Sequence, residues 1–293
     1  MIKFFIVSLL TLFLTGCASE IKDDFFAMDT YMTAQIYGTQ ADADAVKSEI
    51  YRLDSLLRWD KINLDNAEVK ALMSEAEALK SFTGGAFDVS VAPFLELWGF
   101  RDKSYRVPSD WEIQEVFDSH RECIDFGGIG KGYAGKKVRE LLLSRGVKSG
   151  VISLGGNIQT VGEKPDGTPW KIGIQNPEGD GYVCFVEVAD EAVVTSGGYH
   201  RFFEADDRKY SHIINPSTGR PAETDVKSVT VISKDGTIAD ALSTAFYVMG
   251  SEGTKDFCKR VQYKYNETDF AVIIVDNQNK IQSLGNVKCE RNN

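Results

Sequence analysis

Asp240 and Thr244 stand at i and i+4 in Asp240-Ala241-Leu242-Ser243-Thr244, which sets both side-chain oxygens on one face of a helix. A carboxylate beside a hydroxyl suits a hard cation such as Mg²⁺, which takes few protein oxygens and completes its shell with phosphate oxygens and water. The plainer alternative is an Asp favoured by the dipole near a helix N-terminus. A second segment, Ile124 to Ala134, places a glycine-rich turn with Gly127, Gly128 and Gly130 directly before a helix, with Gly132 at its start and Asp125 and Lys131 in the same run. Glycines let backbone approach a ligand closely, and a helix start offers free N–H groups and a positive dipole end that favour phosphate. Lys131 adds a point charge to the same place. The glycine spacing fits neither a Walker loop nor a dinucleotide fingerprint, so a plain tight turn stays open. A third segment, Ser211 to Pro221, sets His212 just before strong turn chemistry over 215–219. A histidine at a loop edge is a general-base candidate, with a structural role as the alternative. The other histidines, His120 and His200, have poorer settings. In a fourth, Thr83 to Asp88 with Trp98-Gly99-Phe100 after it, aromatics beside a glycine turn can stack on a flat ring system or simply pack a core.

These groups need a scaffold, and the periodicities outline one. Phe25 to Tyr37 reads as a strand, and Asp42 to Leu57 as an amphipathic helix with Ala45, Ile50, Leu53 and Leu57 on one stripe. Ala67 to Ser81 is a second helix, stopped by Gly84-Gly85. A turn-rich stretch over 86–100 follows. Lys131 to Arg145 is a helix whose apolar face is Ala134, Val138, Leu141 and Leu142, closed by Gly146. Strands fit 147–154, 170–174, 182–188, 192–195, 201–204 and 228–232, a helix fits Thr237 to Met249, and a closing hairpin fits 270–275 with 280–283. Strands cluster in the second half, which suits α+β rather than strictly alternating α/β.

The net charge of −10 speaks against sequence-independent nucleic-acid binding, which needs clustered Lys and Arg. It also repels anionic substrates, a conflict that a bound cation resolves locally. At the N-terminus, Lys3 and the apolar run Phe4 to Leu14 have signal-peptide form, too short to span a bilayer. The run ends in Leu14-Thr15-Gly16-Cys17, which resembles the lipobox of bacterial lipoproteins, with Cys17 as the lipidated residue. Residues 1–16 are therefore expected to be a lipoprotein signal peptide, and 17–293 the functional domain. Cys123, Cys184, Cys258 and Cys289 form no C-x-x-C pair. Export permits disulfides, but the wide spacing does not demand them, and free buried thiols are expected.

Taken in order, the motifs resemble the ApbE family of FAD:protein FMN transferases. The matching pieces are Met28-Asp29-Thr30-Tyr31, Gly85-Ala86-Phe87-Asp88, Leu97-Trp98-Gly99-Phe100, Asp125 to Ala134, Leu154-Gly155-Gly156-Asn157, Thr195-Ser196-Gly197, His212 to Gly219, and Ala239-Asp240-Ala241-Leu242. Many members are lipoproteins, in keeping with Cys17. The resemblance implies an α+β, ApbE-like fold with antiparallel sheets, packed helices and an FAD cleft between two subdomains. It implies that Met28, Ala86, Phe87, Asp88, Asp125, Lys131 and Ile213 hold FAD, the substrate. Mg²⁺ would be held by Asp240, Thr244 and the Gly128 carbonyl, and His212 would activate the incoming hydroxyl. That hydroxyl belongs, in the family, to a Thr or Ser of an acceptor flavoprotein in a membrane redox complex, and AMP leaves. The implied place is the bacterial cell envelope, anchored by lipid to the membrane and facing the periplasm. A periplasmic FAD pyrophosphatase giving FMN and AMP, or a non-catalytic FAD-binding lipoprotein, are the competing readings. Two features depart from the family pattern: a short stretch between Leu57 and Ala67, and Gly130 where Ala is common.

Overall fold

Phe25 to Tyr37 mixes β-formers with polar residues, as a strand with one wet face does. In the computed structural model, which describes residues 19–119, 123–265 and 270–290, that segment is two strands and not one. β1 (Ser19–Ala27) and β2 (Thr30–Gly38) form an antiparallel hairpin, with Phe25 opposite Met32. Its turn residues Met28 and Asp29 take positive φ, 48° and 58°, the mirror-image geometry whose twist suits a two-residue hairpin. Met-Asp lacks the Asn-Gly or Asp-Gly signature of such turns, so local sequence hid the reversal. The leader, Cys17 and His120 lie outside the described residues.

The expected helices are present. α1 (Gln40–Leu57) buries Val46, Ile50, Leu53 and Leu57. α2 (Ala67–Phe82) is started by Asn66, whose Oδ1 accepts the Glu68 and Val69 N–H groups. α3 (Ala92–Leu97) and α4 (Asp110–Ser119) were not expected. α3 is short, and α4 buries only Ile113, so neither carries a helical apolar stripe. α5 (Gly130–Ser144) follows the glycine-rich turn, and α6 (Gly236–Tyr265) is broken at Gly250, where φ is 71°. That break explains why a periodic helix is legible only as far as Met249.

The other strands are β3 (Gly150–Leu154), β4 (Asn157–Val161), β5 (Trp170–Gln175), β6 (Tyr182–Val188), β7 (Ala192–Gly197), β8 (Phe202–Ala205), β9 (Arg208–Ser211), β10 (Ile214–Asn215), β11 (Arg220–Pro221), β12 (Val226–Ser233), β13 (Phe270–Asp276) and β14 (Ile281–Leu284). Six of these join β1 and β2 in one antiparallel sheet of eight strands, in the order β1-β2-β3-β4-β7-β12-β13-β14. Alternation along the central strands serves two faces. Val229, Val231, Val272 and Ile274 pack with α6, whereas Ile232, Ala271 and Ile273 pack with the β5–β6 hairpin. With both faces covered, β13 is buried along its whole length. The α+β architecture of antiparallel sheets and packed helices is as expected.

The expectation of free thiols is corrected for two cysteines. The tail folds back so that Glu290 bridges to Phe185, and this brings Cys184 and Cys289 to a Cα separation of 5.6 Å, where they form a disulfide. Cys123 and Cys258 are free and partly buried.

Candidate active site

Asp235 starts α6 by accepting the Thr237 and Ile238 N–H groups, and the next turn carries Asp240 inward, 3% exposed. There its Oδ2 accepts the Gly132 N–H at 2.8 Å and its Oδ1 accepts from Asn157 Nδ2 at 3.3 Å. Gly132 lies in the first turn of α5, which has no side-chain cap of its own. The helix-dipole alternative thus holds in altered form: Asp240 faces the positive end of α5 rather than that of its own helix. Burial pushes the Asp240 carboxyl up, opposed by the Lys131 charge and by the Gly132 and Asn157 hydrogen bonds. Thr244, one turn on, has its Oγ1 3.3 Å from Ser196 Oγ. A Cβ placed on Gly128 would lie 3.2 Å from Thr244 Oγ1 and 3.4 Å from the Phe87 ring. Asp240, Thr244 and Gly128 are therefore gathered around the start of α5.

This donor set fits Mg²⁺. It offers only oxygens, one of them on a desolvated carboxylate whose charge wants a cation. Among the described residues no group of three His, Cys, Asp or Glu side chains could hold a metal. A cation here would depend on one carboxylate with hydroxyl and backbone oxygens, the modest set that Mg²⁺ takes when phosphates complete its shell.

The glycines of the turn differ in what they permit. A Cβ on Gly132 would lie 2.0 Å from the Gly236 carbonyl and 2.6 Å from Asp240 Cβ, so α5 and α6 approach only because it is absent. A Cβ on Gly130 would rest 3.7 Å from Leu57 Cδ1, an ordinary contact. The departure at Gly130 therefore has no steric cause. Asp125 holds the turn from the other side, its Oδ1 accepting the Gly127 N–H at 2.7 Å and its Oδ2 pairing with Arg101 at 3.2 Å.

Met28, Ala86 and Phe87 converge on one apolar cluster that also contains Ile129. Asp88 is engaged locally, accepting the Ser90 N–H and pairing with Lys80 at 2.8 Å. Ile213 is buried against the α6 cluster. His212, between β9 and β10, directs both its backbone N–H and its Nδ1 to the Arg201 carbonyl, each at 3.0 Å. Burial first, and then the Arg201 charge, push its imidazole down to about 4; Lys131 and His200 add to the shift. His200, which sequence set apart, is thus an electrostatic neighbour of His212, and Lys131 acts on both.

Sequence reasoning assigned no role to four further residues near these groups. Asn157 and Ser196 contact Asp240 and Thr244, and both lie in matched motifs that were left without a function. Arg101 packs its guanidinium 4.3 Å from the centroid of Trp59, a ring 50% exposed in the stretch after α1. A lone Trp in a polar loop was the available signal for that pair.

Comparison with known proteins identifies the family and the fold. The ApbE family model matches residues 27–266. A Vibrio cholerae protein named FAD:protein FMN transferase is 35% identical over 208 residues, spanning 64% of this chain and 62% of its own length. An Escherichia coli K12 protein of the same name is 30% identical over 253 residues, 76% of this chain and 72% of its own. Among solved structures, the ApbE protein of Thermotoga maritima superposes with a TM-score of 0.80 at 31% identity, covering 90% of this chain and 96% of that one.

Proposed function

We propose, from the premise that this chain belongs to the ApbE family, that it is an Mg²⁺-dependent FAD:protein FMN transferase. The observation that carries the proposal is the convergence of Asp240, Thr244 and Gly128 at the Lys131 end of α5. FAD is the substrate, held by Met28, Ala86, Phe87, Asp88, Asp125, Lys131 and Ile213. Asp240, Thr244 and the Gly128 carbonyl would hold Mg²⁺, which when bound neutralises charge on the pyrophosphate. The Lys131 ammonium and the N-terminal dipole of α5 attract the same phosphates.

His212 acts on the acceptor. Its Nδ1 is turned to the Arg201 carbonyl, which only accepts, so Nδ1 carries the proton and Nε2 keeps its lone pair for a proton. A lowered pKa keeps the ring neutral at physiological pH. The acceptor hydroxyl of a Thr or Ser attacks the FMN phosphorus, its proton passes to Nε2, and the P–O bond to AMP breaks. The product is FMN esterified to a flavoprotein subunit of a membrane redox complex. Cys17 would tether the protein to the cell envelope, facing the periplasm. The Cys184–Cys289 disulfide supports export, since such bonds persist in oxidising compartments.

The test mixes the soluble domain with FAD, Mg²⁺ and a candidate acceptor and reads intact mass. A gain of one FMN unit on the acceptor, with AMP released, is expected. Free FMN and AMP with an unmodified acceptor make the protein a pyrophosphatase. Unchanged FAD makes it a binding protein.

A further inference from the structure

Among the matched motifs that the proposed chemistry leaves without a role are Leu154 to Asn157 and Thr195 to Gly197. Both lie at the same end of the main sheet, where β3 turns into β4 and where β7 ends. Gly155 and Gly156 make that turn with φ of 63° and 94°, and a Cβ on Gly155 would meet Thr30 Oγ1 at 2.4 Å. The turn starts β4 at Asn157, which is 5% exposed and lies between β7 and α6.

The hydrogen-bond directions at Asn157 follow from its neighbours. The Thr195 backbone N–H can only donate, so the Asn157 atom facing it at 3.4 Å is Oδ1. The amide Nδ2 then faces Asp240 Oδ1, and with the Gly132 N–H on Oδ2 the carboxylate is held at both oxygens. The same reasoning orients the hydroxyls. Ser243 donates to the Asp240 carbonyl at 2.9 Å, which only accepts. Ser196 must therefore donate to Ser243, 2.8 Å away, and so accepts from Thr244 at 3.3 Å. Thr244 spends its proton on Ser196, and its lone pairs remain free.

We infer that Asn157 and Ser196 are positioning residues that, from the sheet side, aim the oxygens of Asp240 and Thr244 at a divalent cation. The inference rests on the reading of Asp240 and Thr244 as the cation's ligands. Neither Asn157 nor Ser196 touches the cation; each sets the direction in which a ligand oxygen presents its electrons. Groups that orient metal ligands in this way typically change metal affinity by about 10- to 100-fold when removed.

The test uses Mn²⁺ as an oxygen-seeking probe, titrated into the protein without FAD and again with FAD present, and followed by the electron paramagnetic resonance signal of free Mn²⁺ corrected for Mn²⁺ bound by FAD alone. Three variants are compared with the unmodified protein, each also melted without metal. Ser196→Ala removes one hydroxyl. Asn157→Leu keeps the volume and removes the amide. Asp240→Asn removes the ligand charge. Expected are Mn²⁺ affinities about 10- to 100-fold weaker for Ser196→Ala and Asn157→Leu, metal-free melting temperatures within a few degrees of the parent, and no measurable binding by Asp240→Asn. Parental affinity in both positioning variants, with binding lost in Asp240→Asn, overturns this inference alone. Parental affinity in Asp240→Asn, or no binding by the unmodified protein with or without FAD, overturns the ligand reading and this inference with it. Weaker binding that tracks a large fall in melting temperature in both positioning variants assigns them a structural role and also overturns the proposal.

Discussion

The Gly132 N–H of α5 donates to Asp240 Oδ2 of α6 at 2.8 Å, across 108 residues of sequence. The contact exists because residue 132 has no side chain: its Cβ would fall 2.0 Å from the Gly236 carbonyl. Backbone at that distance cannot be moved by a rotamer change, so α5 and α6 would have to separate. Gly132→Ala is expected to cost at least about 2 kcal/mol by the usual scale of core overpacking and to abolish FMN transfer. Gly130→Ala, with 3.7 Å of room, should stay within about 1 kcal/mol of the parent. Urea denaturation of the two variants checks this; equal losses would remove the steric argument.

His212 gives a prediction in two parts. His212→Ala should transfer FMN about 10²- to 10⁴-fold more slowly, the usual range for a lost general base. FAD binding should remain near normal, because the imidazole acts in the transition state. Steady-state kinetics beside equilibrium FAD binding decide it; a loss confined to binding would remove the catalytic role.

The pH dependence follows from the lowered pKa of the same ring. Only neutral imidazole accepts a proton, so its acid limb should fall near pH 4, not near the ordinary histidine value. For stability the sign is the same. The folded pKa lies below the unfolded one, so as pH falls from about 6.5 the unfolded chain binds the proton first and stability declines until about pH 4. His212→Gln should flatten that part of the stability profile, measured by denaturant melts across pH.

The Cys184–Cys289 disulfide closes a loop with a sequence separation of 105. Cys289→Ser should cost about 2–4 kcal/mol, the range typical of native disulfides. The loss should localise to β6 and the tail, because Phe185 and Glu290 pair directly beside the bond. Hydrogen exchange with and without reductant checks both the size and the place of the effect.

If Cys17 carries the lipid, Cys17→Ser should release the protein from membranes or leave its leader uncleaved. Fractionation with lipid labelling reads this directly, and normal labelling of the variant would end the idea. The transfer activity of the soluble domain should not change, because β1 begins beyond Cys17 and the site is built from later elements.

Much of this protein is written locally. The i, i+4 spacing of Asp240 and Thr244, the glycines before α5 and the apolar stripes of α1 and α5 are short-range patterns, and backbone geometry obeys them within a few residues. The family resemblance likewise rests on short motifs in a set order. Tertiary structure alone decided the rest. Which helix dipole Asp240 serves depends on how α5 meets α6, and which glycine is indispensable depends on that same approach. The partnership of Asn157 with Asp240 spans 83 residues, and that of Cys184 with Cys289 spans 105. No periodicity encodes such pairs, because they are set by the order in which eight strands assemble and by what packs on each face. The reversal at Met28-Asp29 was hidden for a related reason: Asp29 suits a turn, but Met28 does not, and its positive φ goes with the pairing of β1 and β2 across the whole hairpin.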